Sequence, residues 1–148
     1  MKFLVPLLII IYLISYFNKG ISNPMVNMIN EDRISNGQRV LSESSILDKS
    51  ASLKCTDMLE KGYWAHIAPD GTRPWVFFEQ ANYRYVSAGE NLARNFSDYQ
   101  KAEDAFMLSL IHKEIILSPD YKEVGIASCS GILNGKETSL IVQHFGGK

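Results

Sequence analysis

The chain has 148 residues, of which 46% are hydrophobic and 11% aromatic, and its formal net charge is −1 at pH 7. This length supports one packed core and is too short for two, so we predict a single domain. Lysine and arginine are spread along the sequence without a basic block, which argues against nucleic acid as a partner.

Residues 1–22 have the pattern of a secretory signal peptide. A lysine precedes an apolar run over residues 3–17, and Gly20 and Ser22 supply the small side chains that a signal peptidase recognises. We expect cleavage after Ser22, which would export residues 23–148. The alternative is an uncleaved membrane anchor, because the apolar run is only a little shorter than the ~20 residues of a spanning helix.

Two helices are predicted at the start of the exported domain. Asn23 and the proline after it form an N-cap and a first turn, and the helix they open runs to Arg33. A second helix begins at Ser44 or Ser45 and ends at the glycine C-cap Gly62. Its apolar stripe consists of Leu47, Ala51, Cys55, Met58 and Leu59.

The middle of the domain combines loops with short elements. His66 is followed by Pro69-Asp70-Gly71, a turn signal that places this histidine on a loop. A short helix is predicted from Pro74. The β propensity of residues 83–86 predicts a strand that leads to Gly89-Glu90-Asn91.

The last part of the chain predicts a helix followed by a hairpin. The helix begins at Ser97 or Asp98 and places His112 near its end or in the turn after it. Strands over residues 124–129 and 138–145 are joined by an Asn-Gly turn, and strands joined so briefly are antiparallel. We therefore predict an α+β fold, an α-β-α sandwich with a small antiparallel sheet covered by helices.

Two cysteines, one asparagine and one further histidine carry separate predictions. Cys55 and Cys129 would form a disulfide in an oxidising compartment, unless Cys55 is a small buried apolar group without a partner. Asn95 begins an Asn-x-Ser glycosylation pattern on an expected surface loop. In the last strand, alternation places His144 on the same face as Leu140 and Val142. That face could be exposed or could contribute to the cleft, and we expect His144 to face solvent.

Three segments in this order resemble the CAP superfamily, which includes cysteine-rich secretory proteins, venom antigens and plant pathogenesis-related proteins. They are the loop from Tyr63 to Gly71, the segment Gly89-Glu90-Asn91-Leu92-Ala93, and Ser109-Leu110-Ile111-His112. Residues 124–127 and 142–146 are also similar to the final strands of the microbial secreted members. The resemblance covers nearly all of the exported domain.

The resemblance implies a cleft formed by His66, Glu90 and His112. His66 and His112 would hold zinc or another divalent cation weakly, because Ser109 stands where many members have a second glutamate, and zinc usually takes three or four protein ligands. Without the resemblance, each residue has an ordinary alternative. His66 would bond to backbone, Glu90 would cap a turn, and His112 would sit at a helix C-terminus.

Two classes of function fit these residues. The first is a secreted, monomeric binding module, and the resemblance implies a lipid, a sterol, or an envelope or host component as its extracellular ligand. Aromatic side chains would line its pocket or fill the core: Tyr63, Trp64, Trp75, Phe77 and Phe78. The second is a metal-assisted hydrolase of peptide or cell-wall substrates, with Glu90 as the base. We favour binding over catalysis, and a domain without a working site is the third alternative.

Overall fold

The computed structural model describes residues 22–148, so residues 1–21 of the predicted signal peptide lie outside the described part. The helices are α1 (Pro24–Ser35), α2 (Ser45–Lys61), α3 (Trp75–Gln80), α4 (Tyr99–Leu108) and α5 (Leu110–Leu117). The strands are β1 (Ser42–Glu43), β2 (Ser87–Arg94), β3 (Glu123–Leu133) and β4 (Lys136–Gly147). Among the helices described, none has the length and apolar character needed to cross a membrane.

The four strands form one sheet in the order β1-β3-β4-β2. The three long strands pair antiparallel, whereas the two-residue β1 pairs parallel with β3, so the sheet is mixed. The β3–β4 hairpin turns at Asn134 and Gly135, with φ angles of 52° and 78°. Positive φ at both positions is what a two-residue hairpin turn requires, and it explains the Asn-Gly pair.

Helices cover both faces of the sheet, which confirms the predicted α+β sandwich. On one face, α2 and α3 enclose Leu47, Ala51, Cys55, Met58, Phe78, Tyr83, Leu92, Leu140 and Val142. On the other face, α1, α4 and α5 enclose Met25, Val26, Ile29, Ala102, Phe106, Ile116, Val124, Ile126, Ile141 and Phe145. The central strand β4 is therefore buried on both sides from residue 140 to residue 147.

The position of α2 on the sheet is fixed by a glycine and a disulfide. Gly125 of β3 lies so close to α2 that a Cβ there would overlap with the backbone of Leu47. Cys55 of α2 and Cys129 of β3 are joined by a disulfide, with their Cα atoms 6.2 Å apart. These two contacts hold the helix that carries Ser50 and Lys54 at a defined height above the strands.

Two predicted elements differ from the structure. Residues 83–86 do not form a strand: the ring of Tyr83 packs edge-on against Phe78, and its hydroxyl donates to Glu123 at 2.6 Å. Pairing begins later, so Gly89-Glu90-Asn91 lies inside β2. The predicted long helix breaks at Ser109, whose backbone is extended, so His112 lies near the start of α5.

Candidate functional site

The site is built on β2, which lies at one edge of the sheet. In the register of β2 and β4, Glu90 is directly opposite His144, and Asn91 is directly opposite Gln143. Opposite residues of an antiparallel pair project to the same face, and successive residues project to opposite faces. The Glu90–His144 pair therefore faces α2, and the Asn91–Gln143 pair faces α4.

Both carboxylate oxygens of Glu90 are engaged by imidazoles. Oε1 lies 2.7 Å from Nδ1 of His66, and Oε2 lies 2.9 Å from Nε2 of His144. Only 3% of Glu90 is exposed. Burial opposes its ionisation, but the hydrogen bonds with His144 and His66 outweigh burial, so the pKa of this carboxyl is lowered. Glu90 is thus an ionised carboxylate that orients two histidines.

The expectation that His144 faces solvent is wrong. Its side chain is completely buried, stacks on the ring of Phe78 at 4.4 Å between centroids, and places Nδ1 2.8 Å from the hydroxyl of Ser50. Burial lowers the pKa of His144, although Glu90 opposes this shift. A neutral ring donates through Nε2–H to Glu90 and accepts the Ser50 proton at Nδ1. The expectation failed because α2 and α3 cover this face.

The loop that carries His66 is held in place by hydrogen bonds from a buried cation, Lys54. Lys54 of α2 is fully buried, and its ammonium donates to the carbonyls of Ala65 and His66 at 2.8 Å each and to the hydroxyl of Tyr63 at 3.1 Å. Burial lowers the pKa of Lys54, although Glu90 opposes this shift. The three acceptors match its three donors, so Lys54 holds His66 beside Glu90.

His112 lies on the α5 side of the site and is half-buried. Its ring meets Phe106 edge-on at 5.2 Å between centroids, and its backbone carbonyl accepts from the side-chain Nδ2 of Asn91 at 3.3 Å. Burial lowers the pKa of His112, and the charge of His66 lowers it further. The two imidazoles therefore influence each other, but no side-chain hydrogen bond joins His112 to His66 or Glu90 within residues 22–148.

The described residues do not form a three-ligand metal cage. No group of three His, Cys, Asp or Glu side chains in this part of the chain is arranged to hold a metal ion. The Glu90 oxygens are already bound by His66 and His144, so this carboxylate does not fit as a metal ligand. Instead it holds Nδ1 of His66 and leaves Nε2 free, as carboxylates do for metal-binding histidines. His66 and His112 remain the two candidate ligands.

A groove of about 440 Å³ opens beside this cluster, between the His66 loop, the edge strand β2 and α5. Its walls are formed by His66, Ile67, Arg73, Pro74, Trp75, Ala88, Gly89, Glu90, Ile115 and Tyr121. A Cβ at Gly89 would lie 2.5 Å from the Tyr121 hydroxyl oxygen, so the Tyr121 ring rests directly on the strand. The volume is that of a site for a small molecule.

Of the aromatic residues predicted to line a pocket or fill the core, Trp75 lines the groove. Tyr63, Phe77 and Phe78 are buried in the core, and Trp64 is partly buried against it.

On the opposite face of the sheet, a second buried polar chain was missed by sequence reasoning. Asn91 donates to Gln143 at 3.1 Å, and Gln143 donates to Glu103 of α4 at 2.8 Å. Burial raises the pKa of Glu103 to about 8, against the opposing hydrogen bond from Gln143. At neutral pH this carboxyl is mainly protonated. The only sequence signal is an acidic residue on the inward face of α4.

Asn95, the predicted glycosylation acceptor, is exposed immediately after β2. Its φ angle is 62°, and its side-chain oxygen accepts from the amide of Ser139 at 3.3 Å. A glycan would attach to Nδ2, which this hydrogen bond through Oδ1 does not use.

Comparisons with known proteins agree with the fold. The profile of the cysteine-rich secretory protein family, CAP, matches residues 26–145. The uncharacterized protein YkwD of Bacillus subtilis is 30% identical over 124 residues, which are 84% of this chain and 46% of YkwD. The chain thus spans about half the length of this curated relative.

Solved structures of low sequence identity share the architecture. An outer surface protein from Borrelia burgdorferi superposes with a TM-score of 0.71 at 20% identity, covering 84% of this chain and 90% of that one. An extracellular protein containing an SCP domain from Bacillus anthracis gives a TM-score of 0.72 at 20% identity, covering 84% of this chain and 39% of that one.

Proposed function

Because the chain belongs to the cysteine-rich secretory protein (CAP) family, we propose that it is an extracellular binding module whose groove beside His66 receives a small ligand. The similar folds from Borrelia and Bacillus anthracis are those of an outer surface and an extracellular protein. The apolar run over residues 3–17 supports export of residues 23–148 or, as the alternative, retention by an uncleaved anchor. We propose that the exported domain is a monomer.

The observation that carries this proposal is the composition of the groove. Most of its walls are apolar, and His66 and Arg73 supply the few polar groups that would orient a ligand. The aromatic side chain of Trp75 lies in the same wall. An apolar ligand such as a lipid or sterol, or an apolar part of an envelope or host component, fits these walls.

The test is a titration of the isotopically labelled domain with 1-octanol and with octanoate, followed by the indole and backbone NMR signals of the groove. We expect saturable shifts at Trp75 and Gly89 in the parent. Ile115→Gln should abolish them, because it places an amide in the apolar wall. Ile132→Gln, at an exposed isoleucine of the β3–β4 hairpin, is the matched control. Absence of saturable shifts in the parent would contradict the proposal.

A hydrolase is the second candidate, and one observation favours it. The 2.7 Å hydrogen bond between Nδ1 of His66 and Oε1 of Glu90 is the arrangement of a histidine base oriented by a carboxylate. The His66 side chain is 52% exposed, whereas Glu90 is buried and bonded at both oxygens. In this proposal His66, rather than Glu90, accepts the proton of the attacking water.

Hydrolysis of p-nitrophenyl butyrate by the parent and by His66→Gln tests this candidate. The hydrolase proposal expects turnover in the parent that disappears in His66→Gln while the circular dichroism spectrum is unchanged. Equal rates in parent, variant and buffer would leave binding as the function.

We further propose weak zinc binding by His66 and His112. Two imidazoles are fewer ligands than structural or catalytic zinc normally has, so we expect easily reversible binding. Calorimetric titration with Zn²⁺ should give heat in the parent and much less in His112→Gln. Unchanged heat in that variant would show that His112 is not a ligand.

A further inference from the structure

We infer that the groove selects small amphiphilic ligands with an anionic head group, and that Arg73 recognises the head group. This inference rests on the proposed function, because it names the ligand class of the same groove. It adds to the apolar character of the groove walls the charge that one of their residues, Arg73, carries.

Arg73 is a cation of the groove without an acidic partner in the described part of the chain. It precedes Pro74, at the start of the segment that leads into α3, and its side chain is exposed. No ion pair or side-chain hydrogen bond engages its guanidinium within residues 22–148. The nearby acid Asp70 is occupied by Lys61 and by the amide of Thr72.

The one carboxylate in the groove wall does not neutralise Arg73. Glu90 is buried, and both of its oxygens accept hydrogen bonds from His66 and His144. The Tyr121 hydroxyl donates to the carbonyl of Ala88 at 3.2 Å. The polar groups left for a ligand are therefore the Arg73 guanidinium and Nε2 of His66.

The remaining walls define the rest of the ligand. They are formed by Ile67, Pro74, Trp75, Ala88, Ile115 and Tyr121. A guanidinium donates two parallel hydrogen bonds to a carboxylate or a phosphate, and this bidentate pairing is stronger than a bond to a neutral hydroxyl. A single cation at the rim of an apolar groove of about 440 Å³ matches a short amphiphile with an anionic head.

Four probes with the same eight-carbon chain test the inference: octanoate, octyl phosphate, 1-octanol and octylammonium. We expect octanoate and octyl phosphate to bind the parent more tightly than 1-octanol, and octylammonium to bind least. The stronger of the two anions identifies the head group as carboxylate or phosphate. NMR titration of the groove signals gives each dissociation constant below the micellar range.

Arg73→Gln should weaken octanoate about tenfold or more, the effect of one lost charge-assisted interaction, and leave 1-octanol unchanged. Arg84→Gln, at an exposed arginine outside the groove, should leave all four constants unchanged. Equal binding of octanoate and 1-octanol, unaffected by Arg73→Gln, would overturn the inference and keep the groove as a binding site. No saturable shift with any probe would overturn the inference together with the proposed function.

Discussion

Glu90 and His144 face each other across β2 and β4, and a hydrogen bond of 2.9 Å joins Oε2 of the carboxylate to Nε2 of the imidazole. Both side chains are buried, yet the other carboxylate oxygen of Glu90, Oε1, is hydrogen-bonded to the exposed His66. The hydrogen bond of a loop histidine therefore depends, through Glu90, on a residue of the central strand. The site therefore depends on the packing of His144, which is completely buried and is not part of the groove wall.

The first prediction concerns the removal of His144. His144→Phe keeps a ring against Phe78 but leaves Oε2 of Glu90 and the hydroxyl of Ser50 without this partner. We expect a loss of about 3 kcal/mol in the free energy of unfolding, because the buried carboxylate of Glu90 loses one of its two imidazole partners. Urea denaturation at pH 7 measures it. Ser50→Ala removes only the hydrogen bond between Ser50 and Nδ1 of His144 and should cost about 1 kcal/mol. Equal losses in both variants would contradict a larger contribution from the Glu90–His144 bond.

A second prediction concerns the His66 loop. Lys54→Met keeps the length of the side chain but removes the donors to the carbonyls of Ala65 and His66. We expect faster amide hydrogen exchange across residues 63–68 and a destabilisation of about 2 kcal/mol. Exchange read by mass spectrometry is the measurement. The matched control is Lys49→Met, at an exposed lysine of the same helix, and unaltered protection in the Lys54 variant would refute the fastening role.

The third prediction is the pH dependence produced by Glu103. Its pKa is about 8 in the folded state and 4.5 in the unfolded reference, so the folded chain holds this proton more tightly. The stabilisation that results is complete below pH 4.5 and is lost as the pH rises from 4.5 to about 8. Glu103→Gln should become increasingly stable relative to the parent over that interval. Glu114→Gln, at an exposed position of α5, should show no such divergence in denaturation midpoints.

Glu90 and His144 predict the opposite dependence of stability on pH. The pKa values of His144 and Glu90 are both lowered by folding, so the unfolded chain binds these protons more tightly. Their contribution to stability is complete above pH 6.5 and falls as the pH drops through 6.5 and then through 4.5. In the Glu103→Gln background, stability should therefore decline between pH 7 and pH 4. Adding His144→Phe should flatten the upper part of that decline, and an unchanged slope would count against the assignment.

A fifth prediction concerns the Cys55–Cys129 disulfide, which joins positions 74 residues apart. A closed loop of this length stabilises the fold by about 4 kcal/mol in the chain-entropy description. Dithiothreitol should lower the urea midpoint accordingly. The double variant Cys55→Ala with Cys129→Ala should already have the lower midpoint and should not respond to the reductant.

Local signals in the sequence predicted α1, α2 and the hairpin well, because their causes are local. Asn23 caps α1 by accepting from the amide of Met25 at 3.0 Å, and Ser44 caps α2 through the amide of Leu47. Gly62 ends α2 in the left-handed conformation, with a φ of 68°. Each of these interactions spans only a few residues, so residue type and position are sufficient.

The buried polar residues of the site were not predictable in the same way. Alternation assigned His144 to the correct face of β4, but burial depends on which helices cover that face, and this is a property of the whole fold. Lys54 has the helical spacing of the apolar stripe, three residues after Ala51 and four before Met58. Its burial depends on carbonyls of the distant 65–66 loop. The one available clue was a lysine at a core spacing.

The two polar pairs of β2 and β4 have a consequence for how the sheet assembles. A slip of two residues between these strands would keep each apolar side chain on its own face, so hydrophobic burial alone discriminates poorly against it. The same slip would separate Glu90 from His144 and Asn91 from Gln143, leaving four buried polar groups unmatched at a cost of roughly 1–3 kcal/mol each. A shifted register is therefore less stable even where its hydrophobic contacts are kept. The register that remains favoured is the one that brings His66, Glu90 and His144 together.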